Sequence, residues 1–578
     1  MNADELKPAA VTTGKARPPR AIVEPPVVHA NGRLTCKVSF DAGNGVPDTA
    51  LLLPVEKEPG ASPNRWAIVR RDGSRLAVRD ALSPADLENL THRIAPRDVC
   101  RDAVRITLPW PGGARHALLL LVHSQLEAIG DETYLLPVDL EQPTLFVPLK
   151  ELEPDAQVQR VVTAASAWLH IATALELERG VLTLRPRPAS PADRAFALAS
   201  CQYPAGMLDG GSRDQRGMHD DRAIGPAERS LWRLGHELEE DVRIAFTVLA
   251  GDQVYVDATA GLFDPAKLLD RFSFAYQAMR DNKGLQRVLR IANHALLPLL
   301  DDHELDSDNW EPAMPHQPTE RQLEDLKVGL RNYRAEQAPQ WPAPPRNPHA
   351  LWETRTVDGW AFFFADTRTL RTGRNIANWR TASILGEQQE AALLNWIAAG
   401  AGDTAPRFIA SPSILLPRLL QLQGHGTACL TSDSWSGYPR SLQSVLARIC
   451  ETRARGIVFL SGDEHLSCVA RIAIWRKDDA AAHSVVTHSV HGSALYAPYP
   501  FANSVEADFA ANEFFEFDHP DPATGAARRY VCAVETTFSP LGDGFVILRP
   551  TAGTSGDWQL CVHFLGGAGG CQPQSYAL

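Results

Sequence analysis

From residue 196 onward, four apolar runs each stop abruptly at a side chain able to hold a metal. F-A-L-A-S runs from Phe196 into Cys201, and I-A-F-T-V-L-A-G runs from Ile244 into Asp252, with Tyr255 three residues on. H-A-L-L-P-L-L runs from His294 into Asp301, Asp302, His303 and Glu304, and I-V-F-L-S-G runs from Ile457 into Asp463 and His465. In an open α/β sheet the ligand crevice lies outside the carboxyl ends of the strands. If these runs are neighbouring strands, Cys201, Asp252, Tyr255, Asp301, Asp302, His303, Asp463 and His465 converge on one crevice. Acids so close resist ionising together, and a multivalent cation relieves them. Each piece alone has a plainer reading: a buried thiol, a Gly-Asp turn, an acidic helix start, a loop histidine. All four recurring at strand ends is more than turn chemistry produces.

The surrounding pattern agrees with an α/β domain. After the proline-rich stretch 184–194 (L-R-P-R-P-A-S-P-A-D-R), apolar strand-like runs alternate with amphipathic segments. Residues 227–241 and 265–294 carry charges at helical spacing, and 387–399 (E-Q-Q-E-A-A-L-L-N-W-I-A-A) is the clearest amphipathic helix. Strand patterns return at 530–536, 544–548 and 558–564. Upstream, residues 1–25 read as a flexible tail, and 26–186 as an accessory β-rich, sandwich-like domain. Its short runs fall at 34–40, 50–55, 66–69, 103–108, 116–122, 134–138 and 145–149. The stretch 164–178 fits helix or strand. No nucleophile, metal cluster or phosphate loop occurs in that half.

Composition narrows the function classes. A net charge of −12 over 578 residues disfavours a binder of long nucleic acids, which needs basic surface. No apolar run nears the roughly 20 residues of a membrane helix, and the N-terminus lacks the apolar segment of a secretory signal. Nine cysteines without a C-x-x-C pair argue for buried thiols in a reducing compartment and against a zinc ribbon. A cytoplasmic protein without a membrane span is expected.

The order Cys, G-D-Q-x-Y, D-D-H-E, S-G-D-x-H resembles the alkaline phosphatase D (PhoD-like) branch of the metallophosphoesterases. F-F-A-D-T-R-T-L-R (363–371) is similar to the family's strand ending in D-x-R-x-x-R, L-G-E-Q-Q (385–389) to its L-G-x-x-Q helix start, and D-S-W-S-G-Y-P (433–439) to its D-x-W-x-G-Y-P loop. The likeness covers roughly 191–578 and does not reach 26–190. It implies a four-layer α/β/β/α sandwich holding iron(III) and a divalent ion, calcium before manganese, zinc or magnesium. Carried over by position, it implies that Asp252 bridges the metals, Cys201 and Tyr255 ligate iron, Asp302 holds the second metal, and Asp463 and His465 complete the set. It makes His303 an outer-sphere group near the leaving oxygen. The Asn pair that relatives show after D-D-H-E is matched here only by Asn309, at a longer spacing.

The chemistry expected is hydrolysis of a small phosphate mono- or diester by a metal-held hydroxide, with His303 protonating the departing alkoxide. Arg368 and Arg371, following the 362–365 strand, are candidates to grip the substrate phosphate. The rival from another class is a non-catalytic interaction protein on the same fold. It predicts lost ligands, whereas every motif here keeps its metal-capable side chain. The segment 209–222 (D-G-G-S-R-D-Q-R-G-M-H-D-D-R) reads as a solvated insertion or a substrate lid.

Overall fold

The structure, a computed structural model, describes residues 20–122, 180–185, 194–204, 224–257, 271–306, 320–337, 350–420 and 430–578, together with four positions between 162 and 169. Within those spans short gaps fall in 41–45, 61–64 and 78–102, at 431 and 482, and in 499–503, 522–524, 554–555 and 567–568. The chain divides into two compact units, one of residues 1–186, 215–224 and 283–294, the other of residues 187–214, 225–282 and 295–578.

The larger unit is built on two eight-stranded sheets. Its strands in chain order are β1 (Ala195–Gln202), β2 (Ile244–Ala250), β3 (Ala295–Leu299), β4 (Glu353–Val357), β5 (Trp360–Phe364), β6 (Arg407–Ala410), β7 (Ile457–Ser461) and β8 (Cys468–Arg476). They continue with β9 (Ser484–His491), β10 (Ala494–Tyr496), β11 (Asn512–Pro520), β12 (Ala527–Phe538), β13 (Gly544–Ala552), β14 (Trp558–Gly566), β15 (Gly569–Gly570) and β16 (Gln574–Ala577). The first sheet runs β3-β2-β1-β13-β14-β15, with β10 on β1 and β16 on β14. The second runs β4-β5-β6-β7-β9-β8-β12-β11. The central strands β1, β2 and β3 are mutually parallel, as are β5, β6, β7 and β9. Parallel strands buried on both faces need continuous apolar runs, and all eight residues of β1 and all five of β7 are buried.

Between the sheets, Phe196, Phe246, Phe362 and Phe408 pack with centroids 4.9–5.6 Å apart, among Leu198, Val248, Val458, Val490 and Val546. Burying each such ring stabilises the unit by about 1.5–3 kcal/mol. Helices α4 (Gly386–Ala399) and α5 (Pro439–Thr452) cover the outer face of the second sheet, setting Leu393, Ile397, Val445 and Ile449 against Phe363, Ile409 and Phe459. Helix α1 (Pro226–Glu240) packs on β10 and β13 of the first. Helices α2 (Arg271–Asp281) and α3 (Glu320–Glu336) contact each other. The result is the expected α/β/β/α layering. The strands past residue 527 part company: β12 extends the second sheet, while β13 and β14 extend the first.

The smaller unit is β-rich, as expected. Arg33–Ser39 pairs antiparallel with Ala103–Pro109, and Thr49–Lys57 with His116–Val122. The strand Val181–Leu184 joins His116–Val122 and, on its other edge, pairs parallel with Ile291–Ala292. Gln286 accepts from the backbone of Ile22 at 2.9 Å and donates to it at 3.1 Å. The second half of the 265–294 helical stretch is therefore a short helix, Lys283–Leu289, and a strand built into this unit. The described residues of 164–178 (Ala165, Ser166 and Leu169) are helical and buried; the runs expected at 134–138 and 145–149 lie outside the described residues. No described helix is long and apolar enough to cross a membrane.

Candidate metal centre

The strand ends carry the centre on unusual backbone. Seven non-glycine residues among those described have positive φ, and four are predicted ligands: Cys201 (φ 51), Asp252 (57), Asp463 (87) and His465 (53). Left-handed backbone at a non-glycine residue costs on the order of 1–3 kcal/mol and persists only where its surroundings hold it. Two glycines permit the turns. At Gly251 (φ +90) a Cβ would come 2.8 Å from the Asp301 Cβ, and at Gly462 one would come 2.3 Å from the Ser200 Cβ. The backbone of β7's turn thus lies directly on β1.

These turns bring the predicted acids together. Carboxylate oxygens of Asp252, Asp301, Asp302 and Asp463 lie within 4.8 Å of one another, and Asp252, Asp302 and His303 form a second such group. The Cys201 thiol faces Asp252 Oδ2 at 3.7 Å. Tyr255 packs in one cluster with Cys201, and its hydroxyl lies 3.4 Å from His465 Nε2. All six predicted ligands therefore meet, with Asp301 beside them. His303, read as outer-sphere, stands within ligating reach of Asp252 and Asp302.

Electrostatics set the demand for a cation. Burial pushes the Asp252 carboxyl well above the usual range, with His303 opposing and Asp302 and Asp301 reinforcing. Burial likewise raises Asp463, with Asp433, Asp301 and Asp302 adding to it, and it raises the Cys201 thiol and the Tyr255 phenol. Asp252 Oδ1 and Asp301 Oδ2 are buried and make no hydrogen bond among the described residues. An orphaned buried carboxylate oxygen costs free energy unless a cation or donor meets it. Thiolate, tyrosinate, imidazole and carboxylates at this spacing fit a metal.

His303 Nδ1 lies 2.8 Å from Asp257 Oδ1, and its ring lies 4.2 Å from that of Tyr255. Burial works against its charge, yet Asp252, Asp257 and Asp302 together hold its pKa well above the ordinary imidazole value.

Arg368 is placed differently from expectation. It has no exposed surface; its guanidinium meets Asp301 at 2.6 Å, Asp302 at 3.4 Å and, closer still, Asp433. Buried among three carboxylates, its guanidinium is engaged by the acids of the centre. Arg371 is also buried, 3.5 Å from Asp433. Against the cost of burial, Arg368 and Arg371 pull the Asp433 carboxyl down to about 2.

The surrounding motifs act through backbone. Asp366 Oδ1 accepts from the amides of Arg368 and Thr369 at 3.0 and 2.8 Å. Gln389 of L-G-E-Q-Q accepts from the Asp366 amide and donates to its carbonyl, both at 2.8 Å. Sequence reasoning gave no role to Glu304, Asp433 or Asp257. Glu304 and Asp433 stand inside quoted motifs, whereas Asp257, two residues past Tyr255, carried no signal. Asn309 and the 209–222 stretch lie outside the described residues.

Two facing sheets, with acids and histidine gathered at the strand ends, define a metal-dependent phosphoesterase. A sequence model of the PhoD-like phosphatase family matches residues 231–521, and the chain belongs to that family. It hydrolyses phosphate esters with the help of metal. A solved PhoD structure is similar over 97% of this chain and 92% of its own, at 12% identity and a TM-score of 0.47. A dimetal phosphatase from Danio rerio is similar over 67% of this chain and 99% of its own, at 11% identity and a TM-score of 0.33. No curated protein matches the sequence.

Proposed function

We propose that the chain cleaves small phosphate mono- or diesters at the centre formed by Cys201, Asp252, Tyr255, Asp302, Asp463 and His465, with residues 191–578, save the 283–294 stretch that belongs to the smaller unit, as its catalytic domain and 26–186 as an accessory β-domain that contributes no catalytic side chain. The observation carrying this reading is the group of four carboxylates within 4.8 Å of one another, Asp252, Asp301, Asp302 and Asp463. Asp252 belongs to both acid groups, which suits a bridging ligand. Cys201 and Tyr255 suit iron(III), and the carboxylate oxygens suit a divalent ion, calcium first, then manganese, zinc or magnesium. Bound metals supply positive charge opposite the phosphate oxygens and an acidified water as nucleophile.

The chain's own residues do the rest. Asp257 occupies His303 Nδ1, which leaves Nε2 to carry a proton toward the departing oxygen. Arg368 holds Asp301 and Asp302 in place rather than touching substrate. The net charge of −12 suits a small ester over long nucleic acid, and the unpaired cysteine pattern suits a cytoplasmic setting. Elemental analysis of the purified protein, run beside turnover of aryl phosphate mono- and diesters, tests the reading. Asp252→Asn should lose both bound metal and turnover; unchanged turnover with metal retained would sink it.

A further inference from the structure

Glu304 has no exposed surface and, among the described residues, no ion pair, yet its carboxylate collects five N–H donors from three parts of the chain. Oε1 accepts from the amides of Gln253 at 2.8 Å and Val254 at 3.4 Å, and from Gln337 Nε2 at 3.2 Å. Oε2 accepts from the amides of Asp252 at 3.3 Å and Asp301 at 2.9 Å. Successive backbone amides in a turn that includes a left-handed residue form an anion-binding concavity. Here the amides are those of Asp252, Gln253 and Val254, Asp252 is the left-handed residue, and the anion is the protein's own side chain. Gln337 is oriented by Tyr276, whose hydroxyl donates to Gln337 Oε1 at 2.7 Å, so the amide nitrogen points at Glu304.

We propose that Glu304 is the positioning residue of the centre: by binding both the 252–254 turn and the 301 turn, its carboxylate fixes Asp252 in the left-handed conformation and sets it opposite Asp301 and Asp302. This rests on the reading that Asp252 and Asp302 hold metal. The physical logic is that neither turn keeps this shape unaided. Asp252 pays backbone strain, and three adjacent buried amides would otherwise lack acceptors. One carboxylate with two oxygens and about four lone-pair sites meets both turns at once.

The test compares the full-length parent with Glu304→Gln, whose amide turns a donor toward the amides that Glu304 accepts from. In metal-free protein, amide hydrogen exchange of residues 251–256 should speed at least tenfold while β2 itself stays protected. Equilibrium dialysis against manganese(II) should show affinity about 10–100-fold weaker, the range typical for losing a residue that orients a ligand. A lower melting temperature with exchange and manganese affinity at parent values would mean that Glu304 only supports the fold, and overturns the proposal. Where Glu304→Gln does not fold, Gln337→Ala removes one donor of the five; a severalfold loss of manganese affinity supports the clamp, and parent affinity overturns it. Asp252→Asn is measured alongside. If that variant binds manganese like the parent, the metal-site reading itself has failed, a result separable from failure of the clamp.

Discussion

Arg368 Nε donates to Asp301 Oδ1 across 2.6 Å, and neither side chain has any exposed surface. The contact gives one carboxylate of the D-D-H-E turn an internal counterion, so that bound metal faces less uncompensated charge. Removing one partner of a buried pair leaves the other charge stranded, typically at a cost of about 3–5 kcal/mol. Arg368→Met should therefore lower the melting temperature sharply, whereas Arg371→Met, which keeps the Arg368 contacts, should cost less. Equal small losses in both variants would contradict the counterion role.

His303 and the ligands should separate by leaving group. A proton donor to the departing oxygen matters most for poor, basic alkoxides, commonly by 10²–10⁴-fold. His303→Ala should slow alkyl phosphates far more than activated aryl esters, and Asp257→Ala should do so in the same sense to a smaller degree. His465→Ala should lose metal and both activities together. If His303→Ala slows both ester classes by one small factor with metal content unchanged, His303 leaves the mechanism and the metal site stands.

If the centre takes iron(III) through Tyr255, as proposed, the metal is visible. Tyrosinate bound to a ferric ion absorbs in the visible range, so the purified protein should then be coloured and Tyr255→Phe should lose the band. A colourless, iron-free and fully active protein would assign the site to another metal pair.

His488 predicts a pH-dependent stability. It is 2% exposed beside Tyr576, and burial, reinforced by Arg471, lowers its pKa to about 4. The unfolded chain takes up this proton near the ordinary value of about 6.5, and the folded chain does so only near 4. Stability is thus full above about 6.5 and falls as pH drops toward 4, by up to ~3 kcal/mol. Urea titrations from pH 7 to 4 should show a shallower decline for His488→Gln than for the parent. Identical slopes would mean that His488 does not set the acid limb.

The strand ends were legible because their signal is local. An apolar run of five to eight residues, broken by Gly-Asp or Asp-Asp, states both a buried strand and its end. Asp252, Asp302, Asp463 and His465 are found that way, Cys201 by closing an apolar run of its own, and helices α1 and α4 announce themselves by spacing within one or two turns. What contacts those residues is not local. Arg368 follows a strand as a surface arginine would, and only the packing of segments 67 and 65 residues away places Asp301 and Asp433 on its guanidinium. Glu304 looks like one more acid in D-D-H-E until the 252–254 turn, 50 residues earlier, lays its amides across the carboxylate. The stretch 283–294 shows helical charge spacing, but its strand partner, Val181–Leu184, lies about a hundred residues upstream. Periodicity records which side of an element faces water. Ion pairs, amide acceptors and strand order depend on which distant element arrives on the other side, and that is decided only when the chain has closed on itself.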